Sequence, residues 1–229
     1  AEIDFAVVVH PEPYQDNHDY LEHCLDEGRG RLKGTCLFFA GRPGAEEQMA
    51  DLVKRAPRVA ALRIPAYAPE RMPPFGKPDL KALWKKAADL GLMIELHFEP
   101  RWAPGFEPLI EEFPGTTVII DHAGRPLQGT PEEHARIVGW SRRRNTVVKL
   151  SEIAPRTQYP HRDAAPAVRA LADAFGPDRM ILGGGFESHA TPESYVANRE
   201  RLLGYVPHFS AADQAKVAGG TAATLFKFI

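Results

Sequence analysis

Short apolar runs alternate with amphipathic stretches along the whole chain. Seven of the runs are rich in β-branched residues and bounded by Gly, Pro or charge: Ile3–His10, Leu32–Phe39, Val59–Pro65, Leu92–Phe98, Thr117–Ala123, Val147–Ile153 and Met180–Phe186. Their length and boundaries predict strands. Between them the pattern predicts helices over Asp19–Glu27, Ala45–Arg55, Pro78–Leu90, Phe106–Phe113, Thr130–Arg144, Asp163–Phe175, Thr191–Tyr205 and Ser210–Phe226. Several carry their own end signals. Thr130 and Thr191 each precede a proline and a glutamate, and Pro78 opens a helix that stops at Gly91, the usual asymmetry of proline at the start and glycine at the end. Strands alternating with helices imply an α/β fold with a parallel sheet covered on both faces. No break in composition divides the chain, so residues 1–229 read as one domain. A (β/α) barrel fits better than a doubly wound open sheet. Seven units are more than most open sheets use, and no Gly-x-Gly-x-x-Gly follows the first strand.

Strand alternation then sorts the polar residues, because successive side chains point to opposite faces. In Leu92–Glu99 one face reads Leu92, Ile94, Leu96, Phe98, and the other Met93, Glu95, His97, Glu99. By the same count Arg63 shares a face with Val59 and Ala61, His122 with Val118 and Ile120, and Lys149 with Val147 and Ser151. Arg63, Glu95, His97, His122 and Lys149 thus come from four strands. In barrel enzymes the catalytic groups sit at the C-terminal ends of several strands. Buried charges must pair, solvate or bind something, so a structural network is the alternative to a site. Arg63 is suited to clamp a carboxylate through two parallel hydrogen bonds, and Lys149 as a point charge.

Charge and composition narrow the function. Twenty-eight Lys and Arg against 30 Asp and Glu leave a formal charge of −2, which argues against nucleic-acid binding. No apolar stretch is long enough to span a bilayer, and Glu2 and Asp4 interrupt the N-terminal apolar run where a signal peptide would be unbroken. Cys24 and Cys36 lack motif spacing and read as free thiols. The expectation is a cytoplasmic protein acting on a small molecule.

The segments Glu-Leu-His-Phe (95–98), Ile-Ile-Asp-His-Ala-Gly (119–124), Val-Lys-Leu-Ser (148–151) and Phe-Gly-Pro-Asp-Arg-Met-Ile-Leu-Gly (175–183) resemble the amidohydrolase-related family of metal-dependent hydrolases, lactonases and decarboxylases. The resemblance implies a TIM barrel. It implies that His97 is a metal ligand or orienting group. For His122 it implies a ligand or the acid/base that handles the catalytic water. A zinc ion would lower the pKa of its bound water towards neutrality, and a nearby histidine would move the proton.

Two departures from the family pattern stand out. Its first strand carries a His-x-His pair, absent here, so that Ile3–His10 corresponds to the family's second strand. Either the first strand precedes residue 1 or the barrel closes differently. The eighth strand of the family ends in Gly-Ser-Asp-Trp, where this chain has Gly183-Gly184-Gly185-Phe186, with Gly185 in place of the metal-binding aspartate. Catalytic zinc normally has three protein ligands. His97 and His122 would need substitutes among Glu187, His189, Glu99 and His10, or the enzyme works without metal, with Arg63 and Lys149 stabilising the oxyanion. The glycines themselves suit either a tight bend or close approach of a ligand.

Other groups follow strands and so belong to the same face: His10, Glu12 and Tyr14; Arg101 with Trp102, suited to an anionic or aromatic substrate; and the proline-rich loop Pro65–Pro78, a lid or a rigid packed segment. The leading reading is a hydrolase of a small carboxylated ester, lactone or amide, with a decarboxylase as its nearest variant. A catalytically dead barrel that binds a small molecule is the reading from another class. A barrel lacking one strand has sheet edges to cover, which makes pairing with a second copy an expectation.

Overall fold

The structure, a computed structural model, describes residues 3–67 and 69–228. Among these residues strands and helices alternate as the pattern predicts. The strands are β1 (Ala6–Val9), β2 (Leu32–Leu37), β3 (Val59–Ala66), β4 (Met93–Phe98), β5 (Val118–Ile120), β6 (Thr146–Leu150) and β7 (Met180–Leu182). The helices are α1 (Asp19–Glu27), α2 (Ala45–Arg55), α3 (Pro78–Asp89), α4 (Ala103–Glu112), α5 (Pro131–Gly139), α6 (Ala165–Phe175), α7 (Pro192–Leu203), α8 (Ala211–Ala215) and α9 (Thr221–Leu225). Thr130 and Thr191 both close capping boxes, which satisfy the first free N–H groups of α5 and α7.

Three expectations need correction. The strand expected over Thr117–Ala123 stops at Ile120, and Asp121–Gly124 form a separate turn. The strand expected to reach Phe186 stops at Leu182, because Gly184 and Gly185 adopt φ of 83° and 89°, outside the strand region. The terminal helix is broken into α8 and α9 by a π turn over Lys216–Gly220. Its two glycines are poor helix formers.

The chain packs as two compact units. The first holds Ile3–His97 and Pro104–Ile119; the second holds Phe98–Ala103 and the chain from Ile120 onward. In the first unit β1 to β5 are ordered along the sheet as in the chain. β1 pairs in parallel with β2, Val8 opposite Gly34, and β2 with β3, Cys36 opposite Leu62. The Ile94 N–H donates to the Thr117 carbonyl at 2.8 Å. Leu21 and Leu25 of α1, Met49 and Leu52 of α2, and Leu80, Leu83 and Trp84 of α3 are buried, so each helix contributes an apolar stripe to the core. In the second unit β6 and β7 pair in parallel, Lys149 opposite Ile181. Val168, Leu171 and Phe175 of α6 are buried, and the rings of Phe98 and Trp140 stack at 5.5 Å. None of the described helices is long and apolar enough to cross a membrane. Both cysteines are free, and burial pushes the Cys36 thiol up to about 12, so it is inert as a nucleophile.

Behind the end of β1 the rings of His10 and His18 stack at 4.3 Å, and His18 stacks on Phe38 at 4.7 Å. The Leu37 N–H donates to His18 Nε2 at 3.1 Å, which requires the unprotonated nitrogen. Burial, together with the neighbouring His10, lowers the His18 pKa to about 4, and burial lowers that of His10. A histidine whose folded pKa is depressed binds fewer protons than the unfolded chain, so it stabilises fully above the unfolded value and loses that stability as pH falls. The depression of His18 from 6.5 to about 4 is worth roughly 3 kcal/mol as an upper bound. Chemical denaturation should therefore show stability declining from about pH 6.5 to about pH 4, and His18→Asn should flatten that decline while lowering stability at pH 8.

Candidate active site

Five elements of the first unit feed one buried polar cluster. Glu12 stands on a single turn, Glu12–Tyr14, immediately after β1, with Pro11 before it and Pro13 within it. Its carboxylate lies 3.5 Å from Arg63 Nη1 on β3 and 3.2 Å from His97 Nδ1 on β4, and it is bonded to Arg71 as well. Glu95 on β4 accepts from the Thr35 hydroxyl of β2 at 3.2 Å and lies 4.0 Å from Arg63 Nε. Arg63, Glu95 and His97 are buried, and the contacts of Glu12 and Arg63 join them in one polar cluster. Burial alone would raise the Glu12 pKa. The hydrogen bond from His97 and the charges of Arg63, His97 and Arg71 outweigh it and hold the carboxyl below its usual value. The proline-rich loop supplies Arg71 and Tyr67, whose ring lies 4.5 Å from that of His97. It is therefore anchored through these two residues; Ala68 within it lies outside the described residues.

The second unit has a cluster of its own. After β5 the backbone turns left-handed: His122 at φ 52°, Ala123 at 50°, Gly124 at 63° and Arg125 at 55°. Left-handed backbone costs non-glycine residues about 1–2 kcal/mol each, so the surroundings must hold this turn in place. The turn, and not strand alternation, presents His122, whose Nδ1 lies 3.0 Å from Ser151 Oγ at the end of β6. Its Nε2 lies 3.5 Å from Asp121 Oδ2 and 3.6 Å from Glu152 Oε2. Asp121 is fully buried at its side chain and held by Lys149 Nζ at 2.9 Å. A cavity of about 210 Å³ is lined by His122, Arg125, Leu127, Glu152, Ile153 and Tyr159.

The remaining predicted groups sit elsewhere. Arg101, about 60% exposed, is bound to Glu99 at 2.6 Å, so both are engaged at the surface. Glu187 and His189 pair with each other at 3.1 Å in solvent. His10 is buried, with Nε2 2.9 Å from the Gln15 carbonyl. Sequence reasoning missed Asp121 and Arg71. Asp121 stands next to His122, so strand alternation assigns it to the opposite face; Arg71 lies in a loop with no periodicity. Only the Asp-His pairing in the motif marked Asp121.

Among the buried residues of metal-ligating type, His97 lies in the first unit and Asp121 and His122 in the second. The 3.5 Å between Asp121 and His122 would suit two donors on one tetrahedral ion, whose ligand atoms stand about 3.4 Å apart. Charge argues the other way. An ammonium within about 5 Å of a dication repels it by several kcal/mol even at an effective dielectric of about 20, and Lys149 already neutralises Asp121. The position of the family's aspartate offers nothing either. Gly185 has φ of 89°, and a Cβ there would lie 2.9 Å from Asn198 Nδ2 and 3.2 Å from Tyr195. A Cβ at Gly183 would lie 2.7 Å from Lys149 Cε, so that glycine makes room for the lysine. Within the second unit Asp121 and His122 thus supply two donors, and Lys149 competes with any ion for one of them.

The sequence model of the amidohydrolase family matches residues 1–228. Two solved structures, both provisionally assigned as 2-pyrone-4,6-dicarboxylic acid hydrolases, align with TM-scores of 0.77. One, from Pseudomonas putida, is 22% identical over 98% of this chain and 82% of its own; the other, from Acinetobacter baumannii with citric acid bound, is 18% identical over 98% and 84%. An amidohydrolase from Burkholderia multivorans with bound zinc aligns with a TM-score of 0.55 at 18% identity, over 91% of this chain and 88% of its own. No curated protein matches. At these identities the likeness shows the fold, a TIM-barrel type of (β/α) architecture, in agreement with the alternation of elements.

Removing one partner of a buried ion pair leaves the other charge stranded, at a cost of roughly 3–5 kcal/mol. Lys149→Met should lower stability by that order in urea denaturation, and the double variant Asp121→Asn/Lys149→Met should recover most of the loss.

Proposed function

The chain belongs to the amidohydrolase family, and from that premise we propose that it hydrolyses a lactone, ester or amide in a small carboxylated molecule, with His122 as the proton-transfer group. The setting of His122 carries the reading: an imidazole in a cavity wall, on a left-handed turn, with its Nδ1 held by Ser151 and its Nε2 between two carboxylates.

The chemistry follows from those contacts. His122 takes a proton from water as the water attacks the carbonyl carbon. The carboxylates of Asp121 and Glu152 favour the imidazolium that results. The same imidazolium then protonates the departing alkoxide or amine, which returns it to neutrality. Lys149 would share its charge with negative charge developing beside His122, and Arg63 is the cation suited to a substrate carboxylate. Glu95, bonded to Thr35 and close to Arg63, fixes the guanidinium. His97 is the second histidine of the reaction, an orienting or proton-handling group. No step needs a bound metal, and the charges around Asp121 disfavour one. A barrel that binds without turnover is the second reading, favoured by the glycine at position 185.

The substrates to try first are lactones carrying carboxylates, including the 2-pyrone-4,6-dicarboxylate of the structural relatives. Ring opening is followed by loss of ultraviolet absorbance. We expect turnover that falls about 10²–10⁴-fold in His122→Asn. Binding of these lactones by calorimetry without turnover would establish the second reading instead. Elemental analysis of the purified protein should find well below one equivalent of zinc or manganese, and prolonged dialysis against a chelator should leave turnover unchanged. A full equivalent of metal, lost together with activity, would overturn the metal-free mechanism.

A further inference from the structure

The segment His10-Pro11-Glu12-Pro13-Tyr14 has no part in the reaction as proposed, yet it delivers a carboxylate bound by Arg63, Arg71 and His97. Its backbone leaves that carboxylate little freedom. Pro11 and Pro13 fix two φ angles, and the turn is closed by the Tyr14 N–H donating to the Pro11 carbonyl at 3.1 Å and the Gln15 N–H to the Glu12 carbonyl at 2.9 Å. Arg63 and Arg71 then hold the side chain.

We infer that Glu12 is the positioning residue of His97, accepting a hydrogen bond from Nδ1–H and thereby fixing the tautomer that keeps Nε2 as an acceptor. A carboxylate gripped by two guanidinium groups is ionised, and an ionised carboxylate only accepts. Its oxygen lies 3.2 Å from His97 Nδ1, so the proton of that bond belongs to the ring. A neutral His97 then carries its lone pair on Nε2. The Tyr67 ring against the imidazole, 4.5 Å between centroids, limits rotation about the remaining side-chain torsion. A buried carboxylate behind a histidine sets tautomer, orientation and basicity together. The inference rests on the proposed function only in giving His97 work to do.

Long-range ¹H–¹⁵N correlation spectra of the ¹⁵N-labelled, ligand-free protein test it, with the His97 signals assigned by their loss in His97→Gln. The wild-type protein should show His97 as the Nδ1–H tautomer. Glu12→Leu should move it to the Nε2–H form or a mixture, whereas Arg71→Gln, which keeps the Glu12–His97 bond, should leave Nδ1–H in place. In turnover of whichever lactone proves to be a substrate, Glu12→Leu should cut kcat by at least about tenfold with little change in KM. A wild-type His97 protonated on Nε2 would overturn the inference, as would an unmoved tautomer in a folded Glu12→Leu protein. If that variant does not fold, the wild-type tautomer decides alone. The spectra need no substrate, so failure to find turnover sinks the proposed function and leaves this inference to its own result.

Discussion

The carboxylate of Glu12 is buried among Arg63, Arg71 and His97, and much of the first unit's polar arrangement follows from the need to satisfy it. A carboxylate taken out of water costs several kcal/mol unless partners replace its hydration. Here the partners come from β3, β4 and the loop after β3, so one desolvated charge ties the turn after β1 to all three. Arg63, bound by Glu12 on one side, meets Glu95 on the other, and Glu95 is steadied by Thr35 of β2. Loss of any one member would leave a buried charge facing an incomplete shell, which is why such networks fix geometry even where their net contribution to stability is small.

The second unit meets the same constraint by different means. Asp121 has Lys149 on the next strand, and the lysine stem reaches it because Gly183 has no side chain in its path. The left-handed turn then places His122 beside the neutralised aspartate. Non-glycine residues at positive φ are held there only by their surroundings, and His122 and Ala123 are both buried. Strain at the residue best suited to move a proton supports a functional reading of the turn. A strand that simply continued through His122 would have needed no strain.

These details set the limits of what was legible in the chain. Strands and helices were readable because period-2 and period-3.6 patterns dominate them, and Arg63, Glu95 and His97 were readable because regular strands carry them to their positions. The same rule does not reach past β5, where His122 stands on a left-handed turn instead of a strand. Arg71 was invisible for a related reason: it reaches Glu12 from a loop, and loop residues follow no period. The glycines at 184 and 185 could be read as a bend or as a ligand approach. Their positive φ values settle that they end β7 early. Local pattern thus specifies the scaffold, while the site depends on the places where pattern stops.

The two clusters obey the same rule of charge matching. In each, the cations are already matched: Arg63 and Arg71 by Glu12, Arg63 also by Glu95, and Lys149 by Asp121. A substrate carboxylate therefore gains nothing from net positive charge and must exchange places with, or share, an existing partner. Exchange would strand the displaced carboxylate of Glu12 or Asp121 in a buried setting, whereas sharing keeps both carboxylates on the cation. For a neutral group, exchange also leaves the cation and its desolvation uncompensated. Under the proposed function a substrate carboxylate would be held by sharing, for which Arg63 is better suited than Lys149 because its planar fork can hold two carboxylates at once.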